Sequence, residues 1–256
     1  LAVAGFLVER VGRATRWRTV FSAIGLGTPP ILLVFLQPDL GTALVYAAAL
    51  FAVLLFVGVR WRQLIALLAI GVIGIASVLW LLPGAGIQVL KPYQAARLTL
   101  DPGADPSGIT YNLSQSITAV GSGGLTGRGV VEASQTRLDY LPEHATDFAF
   151  ASLAEQRGFV GSAILLLLYL LVVWRGLRVV TVAGDLYGAV VAGGLVFAFL
   201  FQIFVNVGMT MGVAPVTGIP LPFVTIGGSS MVANLVLVGV LQGIHARGEL
   251  AGRQPL

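Results

Sequence analysis

Apolar stretches at 19–36, 40–59, 63–82, 159–174, 185–207 and 229–245 decide what kind of molecule this chain can be. A run of about 20 apolar residues crosses the hydrocarbon core of a bilayer as a helix, and within lipid every backbone polar group must find its partner inside the protein. Six such runs predict an all-α polytopic membrane protein; a membrane β-barrel would alternate apolar and polar residues instead. The run at 159–174 is short, but an amphipathic helix beginning near Thr146 lengthens it enough to span. Residues 1–8 are apolar, too few to cross, and lack the basic flank and cleavage site of a signal peptide, so they read as the stump of a truncated helix. With 57% of residues hydrophobic and only 10% charged, a soluble enzyme is excluded.

Basic residues orient the spans. Arg10, Arg13, Arg16 and Arg18 precede the first, Arg60 and Arg62 follow the second, Arg175 and Arg178 follow the fourth, and Arg247 and Arg253 follow the last. Those ends are expected on the cytoplasmic side. The formal charge of +4 is thereby used in orienting the chain and implies no nucleic-acid partner. Trp17, Trp61, Trp80 and Trp174 fall at span ends, as an interfacial aromatic belt requires. The turn near Pro38, the long segment 83–157 and the proline-rich segment 208–228 then face outward. Without cysteine, the outer part is held by packing and hydrogen bonds alone. The single domain 1–256 thus carries one large extracytoplasmic loop, 83–157, containing short helices and most of the acidic residues, and a long ordered loop of this kind is where function is expected.

Four groups of residues could carry chemistry. Gln37-Pro38-Asp39-Leu40-Gly41-Thr42 is a turn between spans. Asp39 either caps the following helix or, if it lies below the interface, needs a cation elsewhere in the bundle. Lys91 and Arg97, then Gln115 and Ser122, then a glycine-rich stretch ending at Arg128, would suit a lipid-linked diphosphate met by arginine forks and backbone N–H groups. The same glycines also permit tight turns, and the same cations also suit lipid headgroups.

Glu143 and Asp147 stand four residues apart in LPEHATDF, hence on one face if helical, and Asp147 is followed by an aromatic residue that would desolvate it. A desolvated carboxylate beside the bilayer suits a general base, while Thr146 or Asp147 could equally cap the next helix. His144 has only His245, at the cytoplasmic end, as a fellow histidine, which argues against a metal pair. Finally, Pro215, Pro220 and Pro222 forbid regular helix, so this segment is a re-entrant or surface loop. Gln202 and Asn206, four apart on the preceding span, read as glue between helices.

Taken in order, QPDLGTAL, KPYQAARL, QSITAVGSGGLTGRG, LPEHATDFAFASLAEQRGFVG, NVGMTMGVAPVTGIPLPFVTIGGSS and the final helix resemble the SEDS family of cell-wall polymerases, whose best-known branches are RodA and FtsW. The loop near Glu132 and the tip after LPEHATDF lie nearer the RodA branch. The resemblance covers nearly the whole chain. It implies the C-terminal portion of a ten-helix bundle in the bacterial cytoplasmic (inner) membrane, with its C-terminus in the cytoplasm. It also implies a peptidoglycan glycosyltransferase of cell elongation and shape, which joins lipid II units into glycan strands and releases undecaprenyl diphosphate.

By the same resemblance, Asp147 is the catalytic carboxylate. Beside it, by this reading of the motifs, Lys91, Arg97, Gln115, Ser122, Arg128 and Glu143 are expected to bind substrate, and Asp39, Glu155, Pro220 and Pro222 to support the site. Where relatives have Glu-Glu or Glu-Gln before the glycine, this chain has Glu155-Gln156-Arg157-Gly158, which keeps Glu155 but inserts an arginine. A divalent cation, Mg or Mn, would share the charge of the leaving group, although no metal-ligand spacing demands one. The implied partner is a class B penicillin-binding protein, the cross-linking transpeptidase, with its single membrane helix against the spans 159–174 and 185–207. A lipid II flippase is the rival from another class, and it would call for a polar track through the bundle; here the ionisable residues concentrate outside and at helix ends.

Overall fold

The structure, a computed structural model, describes residues 1–37, 39–84, 108–138, 140–141 and 145–252. Among them every regular element is helical: α1 (Ala2–Val8), a 3-10 turn (Val11–Arg13), α2 (Trp17–Leu36), α3 (Leu40–Phe56), α4 (Trp61–Ala76), α5 (Ile109–Ser122), α6 (Gly129–Glu132), α7 (Ser134–Arg137), α8 (Ala149–Val182), α9 (Leu186–Thr210) and α10 (Gly228–Gly252). A π-helical turn, Ser77–Leu81, carries α4 on to Gly84.

Among the described residues five helices are long and apolar enough to cross a membrane: Trp17–Leu36, Trp61–Gly84, Ala149–Val182, Leu186–Thr210 and Gly228–Leu250. The remaining expected run, 40–59, gives α3, which has 17 residues and stops at Phe56 rather than at residue 59. At about 1.5 Å per residue it falls a little short of the hydrocarbon thickness. α8 begins at Ala149, so the lengthening expected ahead of residue 159 is present. Pro29 and Pro30 lie inside α2, where the Thr28 hydroxyl donates to the Ile24 carbonyl at 2.7 Å. Prolines are tolerated in such helices because neighbouring hydroxyls and backbone adjust around them.

Two helix starts are fixed by aspartates. Asp39 Oδ1 accepts the Thr42 N–H at 2.9 Å and its Oδ2 accepts the Thr42 hydroxyl at 2.6 Å, opening α3. Asp185 Oδ1 accepts the Gly188 N–H at 2.7 Å, opening α9. Each satisfies an N–H that has no partner within its helix.

The chain groups into two compact units. One comprises Leu1–Ser77, Val172–Phe201 and Leu235–Leu256. Its core gathers Leu7, Val20, Ala23, Leu54, Leu64 and Val190. Glycines bring its helices close: a Cβ on Gly27 would stand 2.9 Å from Leu50, one on Gly194 3.0 Å from Val53, and one on Gly193 would enter the Phe56 ring.

The other unit comprises Val78–Leu171 and Gln202–Asn234. Its core packs Leu113 and Ala119 of α5 with Leu141, Phe148, Ala151, Met209 and Val216. Within it the buried Ser116 hydroxyl donates to the Thr210 carbonyl at 2.8 Å, tying α5 to the end of α9.

Candidate active site

The glycine-rich stretch after α5 is a seam of main chain against main chain. At Gly158 the helix α8 is broken by φ 65° and ψ −163°, a conformation essentially confined to glycine. Across the break, the Phe159 N–H donates to the Gly124 carbonyl at 2.8 Å, Val160 N–H to Leu125 at 3.1 Å, and Arg128 N–H to Glu155 at 2.9 Å. A Cβ on Gly123 would strike the Ala154 carbonyl, and one on Gly127 the Gln156 carbonyl. The Gly127 and Arg128 N–H groups, which the sequence offers to a diphosphate, are bonded within the protein instead, Gly127 donating to Gly123 at 2.9 Å.

Glu155 lies on the α8 segment that this seam fixes. Its side chain is fully buried, and its carboxylate accepts the Gln135 N–H at 2.9 Å, the Thr136 N–H at 2.9 Å and the Thr136 hydroxyl at 2.7 Å. These are the first amides of the four-residue helix α7, whose orphan donors a carboxylate satisfies well. Glu155 therefore anchors α7 to α8.

Asp147 stands two residues ahead of α8 and is half-buried, between the exposed Thr146 and the buried Phe148, which enters the core. The carbonyls of three consecutive residues are held here. Ala145 O accepts the Ile226 N–H at 3.1 Å, Thr146 O accepts the Thr225 hydroxyl at 2.9 Å, and Asp147 O accepts Asn206 Nδ2 at 3.0 Å. Asn206 Nδ2 also donates to the Ile219 carbonyl at 2.7 Å, and Thr225 Oγ1 accepts the Leu221 N–H at 2.8 Å. The proline-rich loop that supplies these groups is held in turn by the Tyr169 hydroxyl, which donates to the Pro222 carbonyl.

Of the other sequence-predicted residues, Ser122 is half-buried at the end of α5, and its carbonyl accepts Arg128 Nε at 3.0 Å while the Arg128 side chain stays exposed. Gln115 is half-buried on α5. Pro220 is half-buried and Pro222 buried. Asp39 is exposed, and the helix cap accounts for both its carboxylate oxygens. Lys91, Arg97 and Glu143 lie outside the described residues. Sequence reasoning treats Asn206 as helix glue and passes over Thr225, whose only signal is a hydroxyl among apolar neighbours in a proline-rich loop. Among the described residues no group of three His, Cys, Asp or Glu could hold a metal ion. An apolar groove of about 620 Å³ runs beside the seam, lined by Val120, Phe150, Phe159, Leu166, Leu170 and Val207 among others.

The membrane-length helices define a polytopic α-helical membrane protein, and the held, half-buried Asp147 marks its candidate site. More particularly, the chain belongs to the FtsW/RodA/SpoVE family, the SEDS proteins, whose family model, described as "Cell cycle protein", matches residues 1–249. It is 41% identical over 226 residues to the peptidoglycan glycosyltransferase MrdB of Escherichia coli, covering 88% of this chain and 59% of that protein. It is 38% identical over 245 residues to the stage V sporulation protein E of Bacillus subtilis, covering 94% and 64%. The chain thus spans about three-fifths of the length of the curated relatives it matches.

Among solved structures, it is similar to a chain from a peptidoglycan synthase complex described as coordinating polymerization and crosslinking, with TM-score 0.73 and 33% identity over 96% of this chain and 66% of that one. It is also similar to the rod shape determining protein RodA of Thermus thermophilus, with TM-score 0.60 and 27% identity over 96% and 64%.

Proposed function

We propose that this chain acts in peptidoglycan polymerisation, as an inverting glycosyltransferase that joins lipid II units. The observation that carries the reading is Asp147, a half-buried carboxylate whose main chain is held at three consecutive carbonyls. The names of the relatives, peptidoglycan glycosyltransferases in Escherichia coli and Treponema pallidum, favour polymerase over flippase.

In this reading, the acceptor sugar hydroxyl of one lipid-linked unit attacks the anomeric carbon of another. A glycosidic C–O bond forms, the bond from that carbon to the diphosphate breaks, and undecaprenyl diphosphate departs. Asp147 takes the hydroxyl proton as general base. Lys91, Arg97 and Arg128 offset charge on the diphosphate, where electrostatic stabilisation matters most. Gln115, Ser122 and Glu143 contact the sugar-peptide portion. Asp39, Glu155, Pro220 and Pro222 support the site. The reaction takes place on the outer face of the bacterial cytoplasmic membrane, in the segment 83–157, and the C-terminus lies in the cytoplasm.

The partner is a class B penicillin-binding protein. Its single membrane helix docks against the spans 159–174 and 185–207, and its outer domain rests over the segment 83–157. Crosslinkers placed at 165–171 and 186–197 capture that helix; capture elsewhere, with none on these two stretches, overturns the docking.

The deciding experiment is lipid II polymerisation by purified intact protein carrying Asp147→Asn, which keeps shape and removes basicity. Activity falls by about 10²–10⁴-fold while monodisperse yield is retained. Near wild-type polymerisation by the folded variant overturns the assignment.

A further inference from the structure

Consecutive peptide groups are rigid planes joined at Cα, so the φ and ψ of a residue are set once the planes on either side of it are set. The planes that follow Ala145, Thr146 and Asp147 bracket both soft dihedrals of Thr146 and both of Asp147. Each of those planes is held by its carbonyl oxygen, from Ile226 N–H, Thr225 Oγ1 and Asn206 Nδ2 respectively. The direction in which the Asp147 Cα–Cβ bond leaves the chain is therefore dictated by groups lying 59 residues away on α9 and 79 residues away in the proline-rich loop.

The holders are themselves tightly fixed. Leu221 O accepts the N–H groups of Val224, at 3.2 Å, and Thr225, at 3.0 Å, while Leu221 N–H donates to the Thr225 hydroxyl, so a closed turn presents that hydroxyl to Thr146. Within this turn Phe223 takes φ 63°, a left-handed conformation that a bulky residue keeps only where its surroundings over-determine it. Asn206 is fully buried, divides its amide between two carbonyls, and leaves Oδ1 buried with no hydrogen-bond partner among the described residues. Local rules broken in this way, a strained residue and an orphaned acceptor converging on one short stretch of backbone, are the mark of a site whose geometry matters more than its local energy.

We propose that Thr225 and Asn206 are positioning residues for Asp147: they touch no substrate, and they set where the carboxylate stands relative to the reacting hydroxyl. The inference rests on the reading of Asp147 as general base. It assigns to the proline-rich loop a task apart from substrate binding, namely registering the outer segment against α9.

The test compares Thr225→Val, which keeps shape and removes the hydroxyl, with Thr225→Ser, which keeps the hydroxyl, both in purified intact protein assayed with lipid II. Thr225→Val lowers kcat by about ten- to a hundredfold, the penalty of a displacement of around an ångström, with KM for lipid II unchanged. Thr225→Ser restores kcat to near wild type. Asn206→Ser, whose shorter donor reaches one carbonyl at most, gives a second reading and lowers kcat in the same manner. A folded Thr225→Val or Asn206→Ser protein with wild-type kcat overturns the proposal, as does equal impairment of Thr225→Ser and Thr225→Val. Asp147→Asn, run in parallel, separates the two claims. If it is inactive while Thr225→Val runs at the wild-type rate, only the positioning role fails; if it is active, the catalytic reading fails and the positioning role with it. In the Asp147→Asn background, Thr225→Val produces no further loss.

Discussion

Glu155 grips Thr136 twice: its Oε2 accepts both the backbone N–H, at 2.9 Å, and the hydroxyl, at 2.7 Å. With the Gln135 N–H on Oε1, a buried carboxylate closes one end of α7 from a residue 20 positions away. Glu155→Gln keeps the length of the side chain but turns an NH2 group toward a row of donors. It destabilises the fold by roughly 1–3 kcal/mol, the cost of a buried donor left unmatched. Thermal unfolding in detergent measures the loss, and limited proteolysis shows earliest cutting between 129 and 138.

The break in α8 depends on glycine at one position. Gly158→Ala asks an L-residue to hold φ 65° and ψ −163° while its Cβ enters the main chain at Gly127 and stands 2.7 Å from the Leu125 carbonyl. Recovery of monodisperse protein falls sharply. Gly121→Ala, whose Cβ would meet nothing within 4 Å, keeps normal recovery and serves as the control.

In the first unit, Gly193 and Phe56 share one space. Gly193→Ala destabilises by roughly 1–3 kcal/mol, the usual range for overpacking, because its methyl enters the ring. Combining it with Phe56→Leu makes the total loss smaller than the sum of the two single losses, which a double-mutant cycle on unfolding temperatures reads directly.

Tyr169→Phe removes the hydroxyl that donates to Pro222 and nothing else. The buried carbonyl loses a partner at a cost of roughly 1–3 kcal/mol. On the proposed function, lipid II polymerisation falls with the folded fraction, while kcat per folded molecule falls less than in Thr225→Val, because Tyr169 holds the loop through Pro222.

What could be read from the sequence follows the range of each interaction. Spans are legible because lipid imposes length and apolarity locally; Asp39 is legible as a cap because its partner Thr42 lies three residues on. The early stop of α3 at Phe56 is not, since Val57 continues the apolar run and the chain turns only at Gly58, with φ 87°. Glu155 is visible as a carboxylate in a motif, but its partners at 135 and 136 belong to a separate short helix. The glycine-rich stretch suits a phosphate cradle by composition, and only the fold shows the Gly127 N–H turned to Gly123 and the Arg128 N–H to Glu155 on α8. Thr225 and Asn206 escape because a hydroxyl or an amide says nothing of which distant carbonyl it will meet.

At Gly123, Gly127 and Gly158 the nearest atoms across the seam are all main chain, so nothing beside them can swing aside to absorb a change. If Asp147 is the general base proposed above, a genetic screen that scores only growth will therefore colour these glycines as dark as Asp147, although one group fails in assembly and the other in chemistry. On the proposed function, dominance tells them apart: a folded, inactive Asp147 variant still competes with the wild-type copy for its place, whereas a glycine variant that never assembles leaves that place to the wild-type copy and is recessive.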